Sequence, residues 1–297
     1  MMITATLCIL ALTGQSGDYR KNLNTFFDVE RAFAKMCALK GARESFMHFF
    51  APDGIAFNPG PVKAKDDYSA QPPETTPLKY LLAWEPKVAE CSLRADLGFT
   101  TGPYRMIDLS GQGKPIQQGC YFSIWRKQPD GELKVVFDMG TPMATPPVFP
   151  NQMKVRGNPS PAFVTADLLD RAKSNIERFE DDIRKSTPDE LPKTLEMAFN
   201  KELIAYRAGS SPLQNEADAL DWHKKNRLAL SDWEIRKTEV AGSADLVWCW
   251  GRYAGTLNEK PVQGYWAHVW KSEIGKGWHI VADVMNVVPA KVATSKL

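Results

Sequence analysis

Histidine is scarce, with four in 297 residues. That is too few for a His-rich metal centre, and the cysteines match no zinc spacing. No Cys-x-x-Cys occurs, and neither does a phosphate-binding loop, a Gly-x-Gly-x-x-Gly turn, a Gly-x-Ser-x-Gly elbow or a His-Glu-x-x-His helix. No apolar run reaches 18 residues, so no segment is long enough to span a bilayer. Charge of one sign is also missing. The 37 Lys and Arg stand against 35 Asp and Glu, interleaved rather than clustered, so nothing draws the chain to nucleic acid. What remains is a globular composition, 43% apolar and 24% charged, of a length that suits two domains. Its unusual entries are nine tryptophans and 21 prolines.

Ile3 to Leu12 is an apolar run followed by small polar residues, which suits the core of an export signal over 1–17. A buried strand or a frayed terminus is the alternative. The expected location is secreted or periplasmic, and otherwise cytoplasmic. Cys8 lies in this run. Cys37, Cys91, Cys120 and Cys249 are widely spaced, three in the first half and one in the second. That excludes a matched disulfide in each half and favours small buried thiols.

The chain repeats itself. Trp84-Glu85 recurs as Trp233-Glu234, 149 positions on. The same offset carries Phe50 onto Phe199, Ile55-Ala56 onto Ile204-Ala205, Ala95-Asp96-Leu97 onto Ala244-Asp245-Leu246, Gly102 onto Gly251 and Tyr104 onto Tyr253. It then becomes 145, matching Gln118-Gly119 with Gln263-Gly264, Trp125 with Trp270 and Asp138 with Asp283. Upstream, Val29-Glu30-Arg31 resembles Ile176-Glu177-Arg178. Six prolines between Gly140 and Pro161 preclude a helix or central strand there and read as a linker. The expected units are therefore 18–140 and 165–290, joined by 141–164.

In each unit the pattern predicts helix, helix, short strand, helix and a four-stranded antiparallel meander. In the first, helical spacing covers Leu23 to Leu39 and Glu44 to Phe50, with a weak helix near Lys65 to Ala70. Extended runs follow at Lys79–Leu93, Leu97–Arg105, Gln118–Lys127 and Leu133–Met139. The second unit has helices at Leu168–Lys185, Leu191–Asn200 and Asn215–Lys225, then strands from Ser231 to Val284. Segregated helices and an antiparallel sheet define an α+β class.

Phe49-Phe50-Ala51-Pro52-Asp53-Gly54-Ile55-Ala56-Phe57, Pro59-Gly60-Pro61-Val62, Asp96-Leu97-Gly98-Phe99-Thr100-Thr101-Gly102 and Ser123-Ile124-Trp125-Arg126-Lys127-Gln128-Pro129-Asp130-Gly131 carry a resemblance. Over about 24–140 they resemble a SnoaL-like domain of the DUF4440 group, within the nuclear transport factor 2-like (cystatin-like) superfamily. The second copy resembles it mainly through the first. The resemblance implies two cone-shaped domains, each with three helices packed on a curved antiparallel sheet. It implies a cavity rather than a reaction, because the superfold hosts isomerases, dehydratases, hydrolases, cyclases and binding modules.

Alternation sorts the strands into two faces. Trp248 and Trp250 share one, opposite Cys249 and Tyr253, while Trp266, His268 and Trp270 share another, opposite Tyr265 and Val269. The matching residues of the first copy are Phe99 and Thr101, then Tyr121, Ser123 and Trp125. Which face lines the cavity is open at this stage, and core or inter-domain packing is the alternative reading. Candidate ligand contacts are Trp84, Phe99, Tyr121, Trp125, Trp233, Trp248, Trp250, Trp266 and His268. The repeated Asp138 and Asp283 are candidate proton acceptors, and Tyr104 and Tyr253 candidate donors. The aspartates could instead accept backbone N–H groups or meet Arg126 or Lys271. Asp96 and Asp245 precede a strand and read as turn residues. No metal and no cofactor are implied.

The expected function is binding of a small apolar or aromatic molecule in a cone-shaped cavity. An isomerase, dehydratase or cyclase using a cavity aspartate is the second reading, and a non-catalytic envelope interaction module the third. The two copies are also expected to meet as an intrachain pseudo-dimer with aromatic strands at the joint.

Overall fold

The computed structural model describes residues 3–110, 113–149, 154–155, 164–273 and 275–289, with side chains from Tyr19 onward except at 154–155. The first unit runs α1 (Ile3–Lys40), α2 (Ala42–Phe49), β1 (Phe50–Phe57), β2 (Pro61–Lys63) and α3 (Ala64–Ala70). It continues with β3 (Tyr80–Trp84), β4 (Val88–Cys91), β5 (Leu97–Asp108), β6 (Pro115–Lys127) and β7 (Leu133–Pro142), and then β8 (Lys154–Val155). The second runs α4 (Ala166–Lys185), α5 (Leu191–Ala198), β9 (Phe199–Arg207) and α6 (Glu216–Asn226). It ends with β10 (Ala229–Val240), β11 (Leu246–Leu257), β12 (Lys260–Glu273) and β13 (Gly277–Met285). Among the described residues no helix is long and apolar enough to cross a membrane.

Each unit wraps three helices in one curved sheet, so the same α+β cone occurs twice. The strand orders are β2-β1-β7-β6-β5-β4-β8, with β3 also on β5, and β10-β11-β12-β13-β9. The meanders are antiparallel, but each sheet is mixed. The first strand returns beside the last in parallel, β1 on β7 and β9 on β13. One short helix, α3 or α6, lies between that first strand and the meander, a connection long enough to reach the far edge of the sheet.

Local chemistry places the breaks. Asn215 caps α6 by accepting the Asp218 N–H at 2.8 Å, and Thr165 caps α4 by accepting that of Leu168. The extended run expected over Lys79–Leu93 is two strands, because Pro86 has no N–H to give to β5. Glu85 and Lys87 bond Pro103 and Thr101 around it. Glycine is required opposite this bulge: a Cβ on Gly102 would stand 2.0 Å from the Glu85 carbonyl oxygen. In the second cone a Cβ on Gly251 would stand 1.6 Å from that of Glu234. The repeated glycines thus mark a repeated bend. Of the expected linker, 141–142 extend β7 and 154–155 pair at the sheet edge beside β4; residues 150–153 and 156–163 lie outside the described residues. Cys37, Cys91, Cys120 and Cys249 are buried free thiols.

The two sheets pack outer face to outer face. Phe99, Phe122, Ile124, Phe137 and Met139 share one buried cluster with Trp248, Trp250, Tyr265, Ala267 and Val269. Phe137 lies 5.4 Å from Trp248 and 5.6 Å from Trp250, between ring centroids. At one end of the joint the contacts are reciprocal. The Gly242 N–H donates to Asp96, and the Leu93 N–H to Asp245. Lys271 pairs with Glu90 of the other sheet at 3.4 Å, and Arg126 with Glu239 at 3.4 Å. Both pairs link equivalent positions, the pattern of a two-fold interface within one chain. Asp96 and Asp245 therefore do more than make turns: each fastens the other cone's hairpin.

Candidate functional site

The inner walls of the cones carry the chemistry. On β6 and β7, Tyr121 stands opposite Gly140 and Ser123 opposite Asp138. On β12 and β13, Trp266 stands opposite Met285 and His268 opposite Asp283. Alternation then puts Trp248 and Trp250 outward, in the joint, together with Phe99. These three are packed between the sheets rather than on an inner wall, which corrects the expectation that they contact ligand. The aromatic joint is made by Trp248, Trp250 and Tyr265, whereas Trp266 and Trp270 face inward.

A glutamate from the first helix of each unit anchors the inner wall. Glu30 is fully buried and accepts from Trp84 Nε1 at 2.5 Å, from Trp125 Nε1 at 2.9 Å and from the Thr100 hydroxyl. Glu180, also fully buried, accepts from Trp233 Nε1 at 3.3 Å and Trp270 Nε1 at 2.9 Å. Sequence reading missed both. It matched Glu30 to Glu177, three residues and nearly one helical turn away from Glu180. The repeated pairs Trp84/Trp233 and Trp125/Trp270 were the available signal, since buried indole N–H groups need an acceptor.

The second cone is closed around a chain of charges. His268 Nδ1 lies 2.8 Å from Glu180, and its Nε2 lies 3.3 Å from Asp283. Arg207 binds Asp283 through both Nη atoms and meets His223 Nε2 at 3.0 Å. All five side chains are buried. Burial opposes a charged His268, but Glu180 and Asp283 outweigh it and hold the imidazole up to about 9. Burial likewise opposes an ionised Asp283, yet Arg207 and His268 keep it well below the usual carboxylate range. His223 goes the other way, pushed down to about 3 by burial and by Arg207. The space left between His268, Asp283, Trp233 and Met285 is about 10 Å³, enough for one water.

This geometry corrects several expected roles. Asp283 is tied to Arg207 and cannot serve as a free base. The Tyr253 hydroxyl donates to the Asn286 carbonyl at 2.9 Å, so it is a structural donor. Trp233 stacks on Trp266 at 4.2 Å and 9° inside the core, and with His268 they fill the space a ligand would need. Trp125 is fully buried on Glu30.

The first cone differs at the same positions. Ser123 replaces His268, Gly140 replaces Met285 and Asn58 replaces Arg207. Asp138 is half-buried and accepts from Ser123 Oγ at 2.6 Å. Neither it nor Glu30 has a cation within ion-pair distance among the described residues. Burial pushes the Asp138 carboxyl up to about 6 against the Ser123 bond. Burial also pushes Glu30 up to about 7, the Trp and Thr donors opposing it and the Asp138 charge adding to it. Tyr104 faces the same space: a Cβ on Gly140 would have nothing nearer than the Tyr104 ring and hydroxyl at 3.7 Å. Burial pushes its hydroxyl up to about 12. Trp84 is half-buried, with Tyr121 6.3 Å away between ring centroids. Tyr104, Tyr121 and Asp138 thus share one inner wall, with Trp84 beside Tyr121, and Asp138 and Gly140 are only partly buried there.

The α+β cone is the fold of nuclear transport factor 2-like proteins, to which this chain is similar. Solved structures with this fold each cover about two fifths of the chain. They include a ketosteroid isomerase candidate from Parabacteroides distasonis, 12% identical, covering 43% of this chain and 96% of its own, TM-score 0.35. An epoxide hydrolase of the LEH-like type from Mycobacterium tuberculosis is 15% identical, covering 44% and 86%, TM-score 0.32. A protein of unknown function in nutrient uptake from Rhodospirillum rubrum is 20% identical, covering 39% and 98%, TM-score 0.32. No protein-family model and no curated protein matches the chain.

Proposed function

We propose that the first cone binds a small molecule with an apolar or aromatic body, and that the second cone is its closed structural partner. The carrying observation is the exchange at one inner-wall position: Met285 fills the second cone where the first has Gly140, two residues from the partly buried Asp138 and within contact distance of Tyr104. Trp84 and Tyr121 supply aromatic surface, and Asp138 supplies one oriented polar group, the usual composition of a small-molecule site. Thermal-shift screening against a small-molecule panel tests this, because a ligand bound only by the folded state raises the melting temperature. Hits should vanish in Gly140→Met, which fills the first cone as Met285 fills the second. Hits that persist in that variant would place the site elsewhere.

A specific observation also favours acid–base chemistry in the same cone. A carboxyl at about 6 beside a neutral tyrosine hydroxyl is matched to proton transfer near neutral pH. In that reading Asp138 removes the proton and Tyr104 donates to the developing oxyanion. Turnover would then rise with pH through about 6 and disappear in Asp138→Asn. We also read residues 1–17 as an export signal, which the mass of the mature chain would check.

A further inference from the structure

The two cones hold the same acids but not the same cations. In the second, Glu180 faces His268 at 2.8 Å and Asp283 faces Arg207. In the first, Glu30 and Asp138 occupy the equivalent places. The positions of the two cations hold Ser123, a neutral hydroxyl donor, and Asn58, which is exposed. The inner wall of the first cone is therefore short of two positive charges relative to its own counterpart. A buried carboxylate without a cation carries a desolvation cost that a positive ligand would relieve. The second cone also shows how a cation sits there. Arg207 pairs with Asp283 while lying 5.1 Å from the centroid of the Trp222 ring. Trp222 has no aromatic counterpart in the first cone, where Pro73 stands at that offset; the π surfaces on the side of Asp138 are instead Tyr121 and its neighbour Trp84, with Tyr68 of α3 near enough for Asp138 to bias its hydroxyl.

From this we propose that the pocket of the first cone is a site for an organic ammonium ion, its charged nitrogen on Asp138 and its apolar or aromatic body against Trp84 and Tyr121. The inference rests on the reading of that cone as an open pocket and narrows the class of ligand it takes. Aromatic faces favour a cation over a neutral isostere, and an uncompensated carboxylate adds to the preference. The same two features disfavour carboxylate and phosphate ligands, which would bring a third negative charge beside Glu30 and Asp138.

Ammonium binding needs Asp138 ionised. The groups facing it are Glu30 of α1, Tyr68 of α3, Tyr104 of β5, and Tyr121 and Ser123 of β6. Burial pushes the three tyrosines up, so they stay neutral near pH 7. Affinity for an amine that stays protonated should therefore rise about tenfold per pH unit below about 6, and more gently up to about 7 as Glu30 ionises.

The test is calorimetry on the full chain with three probes of similar size: 2-phenylethylamine, 2-phenylethanol and 3-phenylpropanoate. The amine should bind about tenfold or more tighter than the alcohol at pH 7.5, and the carboxylate weakest. Asp138→Asn should bring amine and alcohol to within about threefold. Asn58→Arg, which offers Asp138 a guanidinium from within, should weaken the amine alone. Equal binding of amine and alcohol to the wild type would overturn the ammonium inference and leave the pocket standing. Failure of all three probes to bind at millimolar concentration would overturn both.

Discussion

The charge chain of the second cone makes a quantitative prediction about alkaline stability. His268 is held up to about 9 in the folded protein and titrates near 6.5 when exposed. A basic group raised on folding adds stability that is complete below pH 6.5 and is lost as pH climbs through about 9. At 1.36 kcal/mol per unit, this shift corresponds to about 3 kcal/mol. Replacement by glutamine removes the positive charge between Glu180 and Asp283 and leaves Arg207 alone to balance them. His268→Gln should then be less stable by about 3 kcal/mol at pH 6.5, and the gap should close toward pH 9.5. The assay is urea denaturation of both proteins at half-unit intervals from pH 6.5 to 9.5. Taking the difference cancels other groups that titrate in this window, including the buried thiols, pushed up by burial, and the chain terminus. Glu30, at about 7, has mostly finished titrating by pH 8. A gap of constant size across the window would show that His268 is not protonated in the folded protein, and the ionic account of the second cone would fall.

Two further outcomes follow from the first cone and from the bend in the sheet. Asp138 has its carboxyl raised from 3.8 to about 6, so folding loses stability as pH rises through that interval. Asp138→Asn should therefore be more stable than the wild type at pH 8, by about 2 kcal/mol after allowance for part exposure to water, in the same denaturation assay. Unchanged or lower stability would show that the carboxylate has a cation nearby. Gly251→Ala would force a Cβ to within 1.6 Å of the Glu234 carbonyl oxygen, with backbone rather than a side chain in the way. A loss of about 2–3 kcal/mol is expected from such overpacking, and a loss under 1 kcal/mol would mean that β10 moves freely at the bulge.

The repeat of Trp84 as Trp233, together with the constant offset, predicted two copies of one cone, and the chain folds through that order of elements twice. What alternation cannot supply is the direction of a face. Trp248 and Trp266 are two indoles on neighbouring strands, yet one lies in the joint and the other on the inner wall. Period two separates the faces without saying which is inside. Glu30 and Glu180 escaped notice because the helix register was set three residues off. Such a slip leaves the apolar stripe of a helix almost unchanged. Arg207 and His223 escaped for another reason. They come from β9 and α6: Arg207 reaches Asp283 only through the parallel return of β9 beside β13, and His223 meets Arg207 in turn. The expectation that Asp283 acts as a base failed at that point, because its partner is distant in sequence. Asp138, by contrast, finds its hydrogen-bond partner Ser123 directly across the strand pair, where alternation can see it.

The packing of the two sheets back to back has a consequence for how the pocket is held. Ser123 and Asp138 stand on the inner wall of the first cone, on strands whose other side presents Phe122 and Phe137 to the joint with Trp248. The wall that would orient a ligand is one layer thick, and its far side belongs to the other half of the chain. A small-molecule site bounded by a single sheet is ordinarily free to flex outward into water. Here it is pressed against a filled, ion-locked body of nearly the same shape. The second cone, filled by its own side chains, acts as an anvil for the first. Changes deep inside it, at Glu180 or Arg207, should therefore be felt as altered selectivity in a pocket they never touch.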